Sequence, residues 1–106
     1  TAKAMGAALF AEPISAKQAD DWGMIWEAVP DAEFEDKWMA RARHLANGPT
    51  QTYGHVKQAI RESWDNGFDA QLELEAKLQG ICGKSRDFKE GVVAFLEKRP
   101  ASFEGR

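Results

Sequence analysis

The chain has 106 residues, which is enough for one small domain but not for two. Its formal net charge of −3 argues against a nucleic-acid-binding protein, which normally carries a basic stripe, and gives no reason to expect attraction to anionic membranes. The single cysteine excludes an intrachain disulfide and favours a reducing compartment, so we expect a cytoplasmic protein. No apolar run approaches the ~20 residues of a membrane-spanning helix.

The first thirty residues predict two short helices followed by an extended segment. Residues 1–10 are rich in alanine and predict the first helix, and Ser15 is a good N-cap for a second helix over residues 16–22. Residues 24–29 predict an extended segment, because β-branched and aromatic side chains favour strands, and Pro30 stops it. A single strand cannot form a sheet, so this segment either packs alone or pairs with a strand outside the chain.

The middle of the chain predicts three longer helices joined by tight turns. Asp31 caps a helix that extends to about residue 46, where an Asn-Gly-Pro sequence stops it and starts the next helix, at residues 49–65. The leucines of residues 69–82 alternate as in a strand but also follow helical spacing. Helix-forming Gln, Leu, Glu, Ala and Lys dominate that segment, so we predict a helix.

The last stretch predicts a capped helix with a polar tail. Ser85 or Asp87 can accept a hydrogen bond from a first-turn N–H group, and Glu90 follows Asp87 by three residues, as in a capping box. Pro100 disfavours helical geometry at Arg99 and is expected to end the helix, with two basic residues in its last turn. Helical spacing creates one apolar face that we expect to be buried, formed by Phe88, Val92, Phe95 and Leu96.

Few side chains of the chain indicate chemistry. His44 and His55 lie on different predicted helices without the ligand spacing of a zinc site, so we expect surface or capping roles and no metal. Cys82 lies on an apolar face, where a free cysteine behaves as a small hydrophobic residue. The acidic clusters fall in the first or last turns of helices, where we expect them to be solvated rather than catalytic.

A basic cluster with aromatic neighbours lies at the end of the sequence. Lys98, Arg99 and Arg106 are close in sequence to Phe95 and Phe103. Such a group can bind a phosphate and a flat ring together. The alternative is an ordinary helix C-terminus followed by a solvated tail, and the residues alone leave both interpretations open.

Two widely separated motifs resemble a known family. The first combines P-I-S-A at residues 13–16 with W-G-M-I at residues 22–25, and is similar to the stretch I-S-A-x-x-A-x-x-x-G-L-V-x-x-V-V of the enoyl-CoA hydratase/isomerase (crotonase) superfamily. The second combines D-F-K-E-G at residues 87–91 with A-F-L-E-K-R at residues 94–99, and resembles that family's D-x-x-E-G-x-x-A-F-L-E-K-R ending. Phe103 and the final Gly-Arg also match, so we expect a natural C-terminus here and further chain upstream.

The resemblance implies a fold and a division of the chain. It implies a mostly α structure, the C-terminal helical (trimerisation) region of a crotonase fold, with the N-terminal ββα spiral domain absent. Residues 1–30 would form the edge of the crotonase core, and residues 31–106 the helical oligomerisation region. The expected partners are the missing N-terminal domain and further copies of the chain, as a trimer or a dimer of trimers.

The resemblance also implies an acyl-CoA thioester as substrate, with no further cofactor. The family holds the thioester oxyanion with two backbone N–H groups and uses a carboxylate, all expected upstream of Thr1, so we expect no catalytic residue in this chain. Lys98 matches the family lysine that approaches the adenine and ribose phosphate of CoA, and Phe95 lies beside it in the motif. The aromatic residue that family members often carry about one helix earlier falls near Gln79, where this sequence departs from the pattern.

Within the superfamily, three segments look closest to the bacterial isomerases of phenylacetate catabolism, which convert the ring-1,2-epoxide of phenylacetyl-CoA to its oxepin form. These segments are A-M-G at residues 4–6, W-G-M-I-W at residues 22–26 and R-H-L-A at residues 43–46. An enoyl-CoA hydratase of fatty-acid oxidation is one alternative, and a stand-alone helical interaction module without catalysis is another. We expect Thr1–Arg106 alone to be inactive and to serve oligomerisation and formation of the CoA cleft.

Overall fold

The computed structural model describes every residue from Thr1 to Arg106 and contains six α-helices and no strand. The chain divides into two compact units, Thr1–Trp38 and Met39–Arg106. The predicted mostly α architecture is confirmed, and each predicted helix is present. None of the helices combines the length and apolar character needed to cross a membrane. The helices are α1 (Ala2–Phe10), α2 (Ala16–Asp21), α3 (Asp31–Ala46), α4 (Thr50–Glu62), α5 (Phe68–Cys82) and α6 (Arg86–Glu97).

Local polar contacts hold the backbone of the first unit, in which no residue is buried. Ser15 caps α2 as predicted, and its Oγ accepts a hydrogen bond from the Gln18 N–H at 3.1 Å. The chain leaves α2 through Gly23, whose φ of 71° lies in the left-handed region that favours glycine. The short helices of this unit are therefore ordered by caps and turns rather than by a core.

The prediction of an extended segment is wrong for residues 24–26, where the chain bends, and residues 27–29 belong to no helix or strand of this chain. Two N–H groups of this segment bond back to α2. The Met24 N–H donates to the Ala19 carbonyl at 2.8 Å, and the Ala28 N–H donates to the Asp20 carboxylate at 3.0 Å. The chain offers no neighbouring strand, so these nearby acceptors satisfy the backbone instead.

In the second unit, α4 packs against α5. The Gln71 side-chain amide of α5 donates to the Ala59 carbonyl of α4 at 3.1 Å, and Leu78 of α5 is buried. The turn before α4 requires a glycine, because a Cβ atom at Gly48 would overlap the Tyr53 hydroxyl. This close approach anchors the start of α4 against the end of α3.

Helix α6 begins at Ser85, one of its two predicted caps. The Ser85 Oγ accepts a hydrogen bond from the Phe88 N–H at 3.0 Å. Asp87 and Glu90 do not form the predicted capping box, so that prediction is wrong. Both carboxylates instead accept hydrogen bonds from residues that follow the helix.

Helix α6 ends at Glu97, earlier than the position predicted from Pro100. Lys98 takes a left-handed conformation with φ of 54°, and the Arg99 N–H donates to the Ala94 carbonyl at 3.0 Å. This pattern closes the helix as a Schellman-type motif does. The two basic residues therefore lie beyond the last turn rather than within it.

The apolar face of α6 is exposed, contrary to the prediction that it would be buried. The helix instead buries its opposite side, where Asp87 and Ala94 are 4% and 2% exposed. A helix can bury an apolar face only against another apolar surface, and this chain supplies none large enough. The residues that remain exposed are Phe88, Val92, Phe95 and Leu96.

Exposed apolar side chains occur throughout the chain. Only Leu78 and Ala94 form a buried apolar core. The accessible surface is 8806 Å², whereas a folded monomer of this mass exposes about 5,900 Å². The chain therefore presents far more apolar surface than it covers by itself.

Candidate functional site

The tail after α6 folds back onto the helix through its backbone, while Ser102, Glu104 and Arg106 remain exposed. Asp87 is buried, and its two carboxylate oxygens accept hydrogen bonds from the Glu104 and Gly105 N–H groups at 2.7 and 2.8 Å. The Asp87 N–H in turn donates to the Arg106 carbonyl at 3.0 Å. Gly105 has a φ of 76°, and a Cβ atom there would lie 2.5 Å from Thr50 Oγ1. Helix α6 and the tail thus bind each other through one buried carboxylate.

A second carboxylate, Glu90, holds the start of the tail. Its two oxygens accept from the Arg99 guanidinium at 2.6 and 3.0 Å, and one of them also accepts from the Ser102 N–H at 2.8 Å. The side-chain hydrogen bond from Arg99, followed by the backbone hydrogen bond from Ser102, lowers the pKa of Glu90 to about 2. The same contact, with a further hydrogen bond to Glu97, raises the pKa of Arg99.

Lys98 lies in the sequence between the end of α6 and Arg99. It is the one cation of the predicted basic cluster without an acidic partner. Arg99 pairs with Glu90, and Arg106 pairs with Glu104 at 2.7 Å. The Lys98 side chain is exposed, and its N–H donates to the Phe95 carbonyl at 3.3 Å. The structure therefore leaves one ammonium group of the cluster free to meet an anion from outside the chain.

Phe95 stands one helical turn before Lys98 and borders a cavity of about 410 Å³ beside α6. The Phe95 ring is 83% exposed. The floor of the cavity includes Gly91, where a Cβ atom would lie 3.7 Å from the Phe103 ring. The cavity wall is almost wholly apolar and includes Pro49, Cys82, Phe88, Val92 and Leu96. An exposed ring and a free ammonium group thus lie at the same end of α6.

The remaining sequence candidates lie apart from Lys98. Cys82 is a partly buried free thiol on the cavity wall, in line with its predicted apolar role. His44 is exposed as predicted, but His55 is half-buried and lines a second cavity, beside Gln79. The His55 Nε2 atom is buried without a hydrogen-bond partner. No group of three or more His, Cys, Asp or Glu side chains could hold a metal ion.

Sequence analysis did not predict the role of the two carboxylates that bind the tail. Asp87 and Glu90 were assigned to the N-terminus of α6, where their positions in the first turn suit a cap. Their partners lie 9 to 18 residues further along the chain. The sequence does contain the residues of these contacts, since Asp87 and Glu90 are followed by Arg99 and Gly105. Helical periodicity, however, predicts no contact between residues so far apart in the chain.

Comparison with known proteins identifies the family. Residues 1–106 match the family described as enoyl-CoA hydratase/isomerase, and the chain belongs to this family. A Rhodobacter capsulatus protein named "Probable enoyl-CoA hydratase" is 58% identical over 105 residues, which are 99% of this chain and 41% of that protein. The 1,2-epoxyphenylacetyl-CoA isomerase of Escherichia coli is 48% identical over 105 residues, which are 99% of this chain and 40% of that enzyme.

Solved structures agree with this assignment. The crystal structure of a Mycobacterium abscessus protein described as an enoyl-CoA hydratase/isomerase superposes with a TM-score of 0.94 at 34% identity, covering 100% of this chain and 41% of that protein. The enoyl-CoA hydratase structure from Geobacillus kaustophilus gives a TM-score of 0.85 at 32% identity, covering 92% and 37%. The chain therefore spans about two-fifths of the length of its relatives and has the helical fold predicted for one region of a crotonase.

Proposed function

We propose that this chain is the C-terminal helical part of a crotonase-type enzyme that isomerises 1,2-epoxyphenylacetyl-CoA. The observation that carries the proposal is the 48% identity to the E. coli enzyme of that name, over 99% of the chain. The resemblance at residues 4–6, 22–26 and 43–46 supports the same assignment. A soluble cytoplasmic enzyme fits the acidic charge and the single cysteine.

A second candidate is an enoyl-CoA hydratase, favoured by the 58% identity to the R. capsulatus protein. The two candidates share the acyl-CoA thioester and the need to stabilise charge on its oxygen. They differ in the acid–base groups that act on the acyl chain, and we expect those groups outside Thr1–Arg106. The chain alone is accordingly proposed to be inactive, with no metal and no further cofactor.

Within the enzyme, we propose that Lys98 and Phe95 bind the nucleotide end of CoA. The free ammonium group of Lys98 suits a phosphate, and the exposed ring of Phe95 suits the face of an adenine. Gln79, near which family members often carry an aromatic residue, lines a different cavity from Phe95. The proposed adenine contact therefore depends on Phe95 alone.

The exposed apolar surface supports a role in assembly. The accessible area is about 1.5 times that of a compact monomer of this mass. The excess is large enough for more than one interface of standard size, which buries about 800 Å² per partner. We propose that residues 1–30 pack on an N-terminal crotonase core and that residues 31–106 contact further copies of the chain, in a trimer or a dimer of trimers.

The test is a turnover assay of the natural gene product that contains this chain. We expect conversion of 1,2-epoxyphenylacetyl-CoA to its oxepin isomer, and little hydration of crotonyl-CoA. Faster hydration of crotonyl-CoA than isomerisation of the epoxide would select the hydratase. Thr1–Arg106 expressed alone serves as the control and should turn over neither thioester.

Activity of Thr1–Arg106 alone would contradict the proposal that the catalytic groups lie elsewhere. Failure of the natural product to act on either thioester, together with a native subunit mass equal to that of Thr1–Arg106, would favour an interaction module instead. The mass is measured on protein taken directly from the source cells.

A further inference from the structure

The turn that follows α6 is held from both sides by a single carboxylate. The Arg99 guanidinium and the Ser102 N–H both donate to Glu90, so the residues on either side of 100–101 are attached to the same carboxylate, one by its side chain and one by its backbone. The two parallel Arg99–Glu90 hydrogen bonds define an orientation as well as a distance, because a guanidinium and a carboxylate match as planar forks.

Lys98 immediately precedes this turn and has an unfavourable backbone conformation for a lysine. Its φ of 54° and ψ of 40° lie in the left-handed region, where glycine or asparagine is the usual residue at a helix end. A residue with a Cβ atom persists there only when its surroundings hold it. The backbone hydrogen bonds of Lys98 and Arg99 close the helix around this position, and the Glu90 contact begins at the very next residue.

The glutamates near Lys98 pair with arginines, which leaves the Lys98 ammonium group available to bind an anion. Glu90 and Glu97 accept from Arg99, and Glu104 accepts from Arg106. Each of these three carboxylates therefore has an arginine partner within the same segment. Exposed ion pairs of this kind contribute little to stability, so orientation is the better account of the arrangement.

We propose that Glu90 is a positioning residue which, through Arg99 and Ser102, presents the Lys98 ammonium group to the phosphates of the CoA nucleotide. This inference rests on the proposed CoA-binding role of Lys98. Glu90 itself does not touch the ligand, and its effect on affinity passes through Lys98. The effect is therefore confined to ligands that carry the nucleotide end.

The test measures dissociation constants for CoA and for pantetheine, which lacks the nucleotide, by calorimetry on the natural gene product that contains this chain. The Lys98→Ala variant should bind CoA about five- to tenfold more weakly and pantetheine unchanged. The Glu90→Gln variant, which keeps the shape and loses the charge, should bind CoA about threefold more weakly and pantetheine unchanged. Glu104→Gln is the matched control, because it breaks an exposed ion pair of the same tail away from Lys98, and should change neither constant.

A double variant separates positioning from general damage. If Glu90 acts through Lys98, adding Glu90→Gln to Lys98→Ala should cause no further loss of CoA affinity. An additive loss, or an equal loss for CoA and pantetheine, would overturn the inference. Should Glu90→Gln fail to fold, Arg99→Lys provides the same cycle, because it keeps the charge and loses the planar fork.

The outcomes also separate this inference from the proposed function. Loss of CoA affinity in Lys98→Ala with unchanged affinity in Glu90→Gln would overturn the positioning role alone. Unchanged affinity in Lys98→Ala would overturn the CoA role of Lys98, and the positioning role with it.

Discussion

The two compact units of the chain reach order by different means. Every buried residue lies in Met39–Arg106, whereas Thr1–Trp38 buries none. In the first unit, hydrogen bonds connect neighbouring turns, as between Asp20 and Ala28. In the second unit, the Asp87 contacts join residues 17 and 18 positions apart.

This contrast predicts that substitutions in the second unit change the free energy of unfolding more than substitutions in the first. A unit without fully buried side chains loses little when one of its exposed side chains is shortened, because little of that side chain was removed from water. A unit with very few buried groups depends strongly on each of them. The following predictions test this contrast, beginning with the largest expected effect.

The largest effect is expected at the core leucine of the second unit. The Leu78→Ala variant should lower the free energy of unfolding by about 3 kcal/mol, because it removes buried methyl groups and leaves a cavity. In Thr1–Arg106 expressed alone, the matched variant in the first unit, Leu9→Ala, alters a side chain that is 74% exposed and should change the free energy of unfolding by less than about 0.5 kcal/mol. Urea denaturation followed by circular dichroism measures both, and equal losses would refute the contrast.

The next effect compares two carboxylates that accept backbone N–H groups. The Asp87→Ala variant leaves the Glu104 and Gly105 N–H groups without their acceptor and should lower the free energy of unfolding by about 2 kcal/mol. The Asp20→Ala variant removes one hydrogen bond at a half-buried site and should cost about 1 kcal/mol or less. Urea denaturation gives the two values. Hydrogen exchange should show faster exchange at Glu104 only in the Asp87 variant, and slow exchange there would contradict the assignment.

A smaller effect of opposite sign is expected at the two left-handed residues, one in each unit. Ala11 and Lys98 have φ values of 51° and 54°. Replacing either by glycine should raise the free energy of unfolding by about 0.5–1 kcal/mol, because glycine adopts this conformation without a Cβ clash. Only Lys98→Gly should also weaken CoA binding. Thermal denaturation and calorimetry measure the two quantities, and a CoA effect at Ala11 would be contrary to expectation.

The smallest expected effect is the change of the free energy of unfolding with pH, in acid and in alkali. The pKa of Glu90 falls from 4.5 to about 2 on folding, so its contribution to stability is present above pH 4.5 and disappears as the pH falls towards 2. The pKa of Lys17 in the first unit is raised by its hydrogen bond to Asp21, so that contribution is present below pH 10.5 and disappears at higher pH. The difference in unfolding free energy between wild type and Glu90→Gln should therefore narrow between pH 4.5 and 2.

For Lys17→Met, the corresponding difference should narrow above pH 10.5. Urea denaturation across the pH range measures both differences. A Glu90→Gln difference that is unchanged at pH 2 would mean that the Arg99 and Ser102 contacts are absent in solution.

Local sequence rules predicted the helices well. Asp31 and an Asn-Gly-Pro sequence indicated the bounds of α3, Ser15 was predicted as the cap of α2, and Ser85 was one of two predicted caps of α6. These features depend on neighbours within four residues, which a sequence displays directly. The bend at residues 24–26 was not predicted, because it depends on the return of the Met24 N–H group to the Ala19 carbonyl of α2.

The candidate site was predictable in part. Phe95 and Lys98 are three residues apart in the sequence, and the motif resemblance singled out both. The left-handed conformation of Lys98 and the role of Glu90 were not predictable, because both depend on a chain reversal after α6. The exposure of the α6 apolar face was also missed, since amphipathicity indicates that a face will be covered without indicating by what.

The binding of the tail by Asp87 has a consequence for how this segment can vary. All three contacts with residues 104–106 use backbone atoms of the tail. Exchanging the side chains at Glu104 or Arg106 leaves those atoms in place, whereas inserting or deleting one residue after Phe103 moves them out of register with α6. The segment is thus constrained in length far more than in chemical character, with Gly105 as the one position where both are constrained.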